Sequence, residues 1–408
     1  LDIARSLADS RSLLFHLDLE YVNFDSPAEA YLDPLRTFEL QEPVVRVIER
    51  LLLKWGIRPL HILTGQGHHF AWRIDQDTEL ARRLARLEPA PEFRVDRNQM
   101  PPLCSHWIED STQRAFGAQS LLLEYMAHLI KQEAGPITQV PVEITAVHVG
   151  PGATGMREII SIDISEYGDP LHTRMIRQPF TYYLKPWMPG PVSQSERRDQ
   201  IPLTRVVPLH EMDVHLALQV RQSEAEVREL ARRACVRIPE QSYGTVKLLD
   251  EYLTSPLRRF HTFFYSDRHD PKEKWPETYD HTPEQLFPPC MRMLVQHPND
   301  LLLKPAGMQL ITRCLLARGW HPRHIAGYIR SKFENPDFGW GIRWGDYSAD
   351  IRADFYTRIF AGLRATGLDA LVDFNCTSTR EKGFCYSPPD AGACLTPLRQ
   401  TLLTHPML

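Results

Sequence analysis

RSLLFHLDLEYVNF, residues 11–24, reads as one strand running into a turn. Asp18 and Glu20 stand two residues apart, so on a strand both side chains leave the same face. Neighbouring carboxylates repel, and both stay ionised at low cost only with a cation between them. Hard oxygen donors of this kind suit Mg²⁺ or Mn²⁺, which keep open positions for substrate phosphates. Taken alone, Asp-x-Glu is also what the polar side of a half-exposed strand presents. Other segments of the chain tip the balance.

PLHILTGQGHHFAWRI, residues 59–74, predicts strand, glycine turn, strand. Within it, Thr64-Gly65-Gln66-Gly67-His68-His69 lets backbone N–H groups approach phosphate oxygens, with a histidine to add a proton or charge. Far downstream, Asp163 ends the apolar run Ile159-Ile160-Ser161-Ile162, where a buried charge demands a partner. Arg174 and Arg177 follow in HTRMIRQPFTYY, residues 172–183, as candidate phosphate clamps. Three carboxylates from separate strands, a glycine turn and a histidine suit metal-assisted chemistry on a phosphate.

The bulk numbers set the frame. With 408 residues, 43% hydrophobic and 24% charged, the chain is an ordinary folded protein, long enough for two domains. No run of about eighteen apolar residues offers a membrane span, and no signal-peptide pattern is present. The chain begins with Leu1, so a segment upstream is expected. A net charge of −4 excludes a protein coated in basic surface but allows a local basic groove. Seven cysteines without a secretory signal predict a reducing, cytoplasmic setting and metal binding or core packing in preference to disulfides. No Walker P-loop exists, and the spacing in His210-Glu211-Met212-Asp213-Val214-His215 is not that of a zincin, so it reads as a polar helix start.

Helical spacing predicts helices over 43–56, with Gly56 as the stop, and over 116–134. Strands are predicted over 141–149 and 157–165, a Pro-bearing connector over 179–206, and an exposed charged helix over 223–234. Further on, helices are predicted over 291–296, 306–318, 322–332 and 349–366. The expected fold class is α+β: an N-terminal domain with mixed sheets and flanking helices over 1–190, a connector with a helix over 191–281, and a mostly helical domain with a cysteine-bearing tail over 282–408.

The order hhhDhE, then S/T-G-x-G-x-H, then a late hD resembles the catalytic core of archaeo-eukaryotic primases and primase-polymerases. The resemblance covers about residues 12–190. It implies that Asp18, Glu20 and Asp163 are metal-binding catalytic acids. By the same resemblance His69 and Arg177 bind the nucleotide, with Thr64, Gly65, Gly67 and His172 in the same nucleotide-binding segments. The chain departs from the family pattern in three places. Glu20 stands where Asp is usual, Gln66 where the turn is usually basic, and Tyr183 where some members carry a second histidine.

Phe287-Pro288-Pro289-Cys290-Met291-Arg292-Met293-Leu294 resembles the opening of the C-terminal domain of the primase large subunit, whose first cysteine ligates a [4Fe–4S] cluster. Cys376, Cys385 and Cys394 supply three further thiolates, the right number for a four-cysteine metal centre. Four thiolates accept zinc as well; likeness favours the cluster, whereas the even nine-residue steps do not. Cys314, on the helical stripe of ITRCLLA, reads as a small buried hydrophobe. Arg323, His324, Tyr328, Arg330, Lys332, Trp340, Arg343 and Trp344 are residue types able to stack bases and hold phosphates, none with an assigned contact.

The two resemblances imply a DNA-templated primase that initiates and extends primers by two-metal nucleotidyl transfer. Its expected partners are single-stranded DNA, nucleoside triphosphates and a helicase or other replication proteins, with no membrane. Its expected setting is nucleoid-associated, in a bacterial-type or mobile-element context. The rivals are a gap-filling polymerase that extends without initiating, a non-catalytic single-strand-binding protein, and a metal-dependent nuclease.

Overall fold

A computed structural model describes residues 2–4, 7, 9, 11–93, 108–169, 175–298, 302, 304–340, 347–387 and 394–405. His172, Arg174, Arg343 and Trp344 lie outside these residues.

β2 (Ser12–Asn23) is the central ribbon of a mixed six-stranded sheet. Its neighbours are β4 (Gly67–Asp75) and β6 (Glu158–Asp163), both antiparallel to it. β3 (Leu60–Leu63) and then β8 (Val207–Pro208) extend the β4 side, and β5 (Val142–Ile144) runs parallel to β6. Separately, β1 (Asp2–Ala4) pairs with β7 (Met175–Arg177). The chain is therefore α+β, with strands expected over 141–149 and 157–165 shortened to their apolar centres.

The alternation of β2 sorts its side chains cleanly. Phe15, Leu17, Leu19 and Tyr21 are buried on one face with Phe70, Trp72, Ile74, Ile160 and Ile162. Two long helices, α2 (Pro34–Trp55) and α4 (Asp110–Ala134), cover that face. α2 starts nine residues earlier than the sequence reading placed it. Asp33 caps it by accepting from the Arg36 N–H, Pro34 occupies the first turn, and Pro43 lies inside the helix. An interior proline costs roughly 3 kcal/mol. That cost is offset by the apolar stripe of Val44, Val45, Val47, Ile48, Leu51 and Leu52, all buried. Gly56 ends α2 with φ 77°, as its position in the sequence implies.

The span 191–281 contributes α5 (Val214–Val220), α6 (Glu224–Arg233), α7 (Ser242–Leu253) and α8 (Pro256–Phe264). α6 is the exposed charged helix, capped by Ser223, and Asp213 caps α5 within the His210–His215 motif. α7 is tied to the sheet and to α2: the Trp72 indole donates to Thr245 at 3.1 Å and the Trp55 indole to Glu251 at 3.0 Å.

Beyond residue 282 come α9 (Pro289–Gln296) and the helices Pro305–Leu316, Pro322–Phe333, Ala349–Ala365, Cys376–Glu381 and Thr396–Thr404. One apolar core runs from Leu13 of β2 to Leu402 of the last helix, so this helical segment and the sheet bury their faces against each other. The Ala349–Ala365 helix makes the seam. Arg358 donates to Glu124 of α4 at 2.8 Å, Arg352 pairs with Asp169 at 2.6 Å, and Phe355 lies where a side chain on Gly168 would sit.

Candidate active site

The register of β2 sets the site. Asp18 faces His69 of β4 on one side and Asp163 of β6 on the other; two residues on, Glu20 faces Gly67 and Ser161. Directly paired residues in adjacent strands project to the same face. That face therefore carries Asp18, Asp163, His69, Glu20 and His16 together. His69 Nε2 lies 3.4 Å from Asp18 Oδ1, and its ring meets His16 edge-on at 4.5 Å. Asp163 Oδ1 accepts from the backbone N–H of Ser165 at 2.8 Å and from its hydroxyl, which fixes that carboxylate.

The glycine turn lies at the far end of β4. Thr64 closes it: its N–H and hydroxyl both donate to Gly67 O, at 2.8 and 3.0 Å, and its Oγ1 accepts from the Gly67 N–H at 3.2 Å. A Cβ on Gly67 would sit 1.8 Å from the Leu19 carbonyl oxygen, and one on Gly65 would sit 2.3 Å from the Tyr183 ring. Both glycines are thus required by close approach and not by backbone angle. Gln66 faces inward, accepting from Tyr31 through its side chain and from Gln41 through its carbonyl at 3.3 Å.

The segment 175–206 folds over the same face, with Ile176, Tyr183, Ile201 and Val206 packed on Tyr31, Leu60, Ile62 and Ala71. It delivers Arg177, whose guanidinium lies 5.7 Å from the Tyr183 ring centroid, and Lys185, whose ammonium lies 2.8 Å from Glu20 Oε1. Burial works against the Lys185 charge, but Glu20, Tyr31 and Asp18 outweigh it and hold the ammonium above its ordinary range. Burial, followed by Glu20, pushes the Tyr183 phenol well up, so this ring is a neutral wall of the site.

Lys185 and Arg221 escaped the sequence reading. Lys185 continues the tract that ends in Tyr183, and its distance from the acids along the chain hides it. Arg221 follows α5, packs behind the turn and donates to Thr64 O at 2.8 Å. Nothing in VRQSEAEV, residues 220–227, distinguishes it from a surface arginine.

In the helical segment, Cys290 opens α9 and Cys376 opens a helix, with Cys385 and Cys394 flanking residues 388–393. The Cys376 and Cys394 sulfurs are 3.5 Å apart. Burial, then Cys394, Cys385 and Cys376, push the Cys290 thiol up to about 12. Burial, then Cys376 and Cys385, push Cys394 up to about 11. A coordinated cation would reverse the shifts of Cys290 and Cys394 by favouring thiolate. Cys314 is fully buried beside them.

Four of the candidate base-stacking residues are committed elsewhere. Tyr328 is buried and donates to Glu284 at 2.8 Å, Lys332 pairs with Glu284, Arg323 with Asp354, and Arg330 with Glu334 and Asp350. His269, Asp350 and Asp354 bring three donor atoms within 4.8 Å of one another. Arg330 and Arg323 already answer the two carboxylates, so the cluster is an ion-pair network and receives no metal assignment.

Among the described residues, no helix is long and apolar enough to cross a membrane. Comparison of the chain with protein-family models, with curated proteins and with solved structures gave no match in any of the three.

Proposed function

We propose that this chain is a DNA-templated primase or primase-polymerase. The observation that carries the reading is the register Asp163–Asp18–His69 across three adjacent strands, with the glycine turn closing on Glu20. Two carboxylates held at opposed positions of neighbouring strands repel unless a cation lies between them. The donor set of Asp18, Glu20 and Asp163 is all hard oxygen and fits Mg²⁺ or Mn²⁺. When bound, such ions neutralise the triphosphate and ease loss of the proton from the attacking 3′-hydroxyl.

The chain's own residues do the rest. Lys185 places positive charge on Glu20, and Arg177 adds a second cation at the Tyr183 wall, where the incoming triphosphate needs it. His69, held against Asp18, is positioned to donate to a phosphate oxygen. The Thr64–Gly67 turn offers the backbone amides of Gly65 and Gln66. The 3′-oxygen of one nucleotide attacks the α-phosphorus of the next, the bond to the bridging oxygen breaks, and pyrophosphate leaves. Positioning and charge neutralisation are the dominant contributions.

The test is synthesis without primer on single-stranded DNA, with labelled nucleotides and Mg²⁺ or Mn²⁺, using wild type and Asp163→Ala. Short new products are expected, falling by roughly a hundred- to a thousandfold in the variant. Products only on a supplied primer would favour the extending polymerase. No synthesis with single-strand binding intact would favour the non-catalytic binder.

Cys290, Cys376, Cys385 and Cys394 form the second part of the proposal, as ligands of a [4Fe–4S] cluster or of zinc. All four are thiols, drawn from separate turns of the helical segment, and buried or half-buried. Metal analysis of the purified protein is expected to find iron or zinc, lost in Cys290→Ser, which also loses thermal stability. An equal metal content in the variant would remove Cys290 from the set.

A further inference from the structure

Arg221 is a cation in a place where proteins rarely leave one unanswered. It is 2% exposed. Its guanidinium lies 5.3 Å from the Phe38 ring centroid, and Nη1 donates to Thr64 O at 2.8 Å. Among the described residues Nε has no hydrogen-bond partner, and no carboxylate pairs with the group. Burial pulls its pKa down to about 10, the cost of desolvation expressed as a proton affinity. A buried charge without a counter-charge is strongly unfavourable, so a compensating anion is expected close by.

The turn in front of Arg221 presents complementary donors. The peptide joining Thr64 to Gly65 is planar and trans, so its carbonyl and N–H point in opposite directions. With the carbonyl fixed on Arg221, the Gly65 N–H is aimed away from the guanidinium. Among the described residues neither the Gly65 nor the Gln66 N–H donates a hydrogen bond, although both residues are buried. Buried backbone donors are almost always satisfied. Two amide donors and one cation, on the two sides of one peptide, are all suited to a single anionic group.

We propose that Arg221 is a positioning residue for a polyphosphate: it clamps the Thr64–Gly65 peptide so that the Gly65 and Gln66 amides receive the triphosphate of the nucleotide. The proposal rests on the nucleotide reading given above and adds to it a residue from outside the catalytic segments. Arg221 acts through the peptide dipole and through its charge in a low-dielectric setting; it does not touch the reacting atoms.

The test uses the full chain in Mg²⁺ as wild type, Arg221→Met and Arg221→Lys. Thermal unfolding is measured without ligand, and calorimetry with ATP, inorganic tripolyphosphate and adenosine. In wild type both polyphosphates bind and adenosine does not. Arg221→Met removes an uncompensated charge at similar volume, so the free protein is expected to melt about 2 °C or more higher. Its affinity for both polyphosphates falls roughly tenfold or more. Arg221→Lys keeps the charge without the fork and regains part of the affinity. A stabilised variant with weakened binding is a pairing that a purely structural arginine cannot give. Unchanged polyphosphate affinity in Arg221→Met overturns the proposal and leaves the nucleotide reading standing, and so does a variant that melts lower or fails to fold. A wild type that binds neither polyphosphate overturns both.

Discussion

Lowering the pH from 7 to 5 is expected to remove several kcal/mol of stability, with no carboxylate needed to explain it. Four histidines, three of them buried and the fourth packed against one of these, sit where burial disfavours a proton. His68 and His261 are fully buried, His128 is 4% exposed, and His61 lies against His68 with ring nitrogens 3.0 Å apart. Burial is the main cause in every case. It brings His61 down to about 3 and His128 to about 4, and holds His68 and His261 below the ordinary 6.5. The sign follows from which state binds the proton. Below pH 6.5 the unfolded chain takes up protons that the folded chain refuses, so stability falls as pH falls. The loss continues until the folded values are reached. His61 and His128, whose folded values lie below 5, each contribute up to about 1.4 kcal/mol per pH unit in that window, or about 2 kcal/mol between pH 7 and pH 5, and His68 and His261 act in the same direction. Glu124 does not soften this loss: the Arg358 guanidinium outweighs its burial and holds it down to about 2, so it stays charged in the folded state at pH 5. Asp354, raised by burial, works weakly the other way. Against a total of about 5–15 kcal/mol for an ordinary domain, the histidine loss is decisive. Urea midpoints at pH 7, 6 and 5 with an unchanged slope would measure it, and His128→Gln should flatten the profile. A midpoint that holds steady to pH 5 would show that these rings admit protons in place.

The acidic strand was readable because its pattern is local. Alternation in RSLLFHLDLEYVNF placed Asp18 and Glu20 on one face before any partner was known, and Gly56 and the Thr64–Gly67 turn announced themselves by residue type. The length of α2 was not, because Pro43 reads as a boundary and only the buried stripe on both sides of it shows that the helix continues. Arginine is the residue that misleads most. Arg221, Arg323, Arg352 and Arg358 look like solvent-facing charges along their own elements, yet each is buried or half-buried against a partner from far along the chain. Helical periodicity says which face a side chain occupies; it does not say that an acid 234 residues away, as Glu124 is from Arg358, waits on that face. The same limit hid Lys185, which meets Glu20 across 165 residues. The shared core between the sheet and the segment after 282 was equally silent, since each amphipathic helix records only that it needs a cover.

Gly67→Ala is expected to cost about 3 kcal/mol or more and to disable the site with it. The added Cβ would lie 1.8 Å from the Leu19 carbonyl oxygen, 2.8 Å from its carbon and 2.9 Å from the Glu20 Cα. All three are backbone atoms of the central strand, so no rotamer change relieves the clash. Relief requires β2 and β4 to separate where Glu20 faces Gly67, and that movement carries Glu20 and Asp18 away from the glycine turn and His69. Gly65→Ala meets a different obstacle, the Tyr183 ring, which belongs to a side chain. Shortening that side chain should therefore rescue Gly65→Ala, and Gly65→Ala/Tyr183→Ala is expected to recover most of the urea midpoint that Gly65→Ala loses. No neighbour substitution should rescue Gly67→Ala, because the atoms in the way are present in every residue. Unfolding midpoints for the two single variants and the double variant decide the matter. A wild-type midpoint for Gly67→Ala would mean that β2 and β4 tolerate a wider spacing, and the register that sets His69 opposite Asp18 would lose its physical basis.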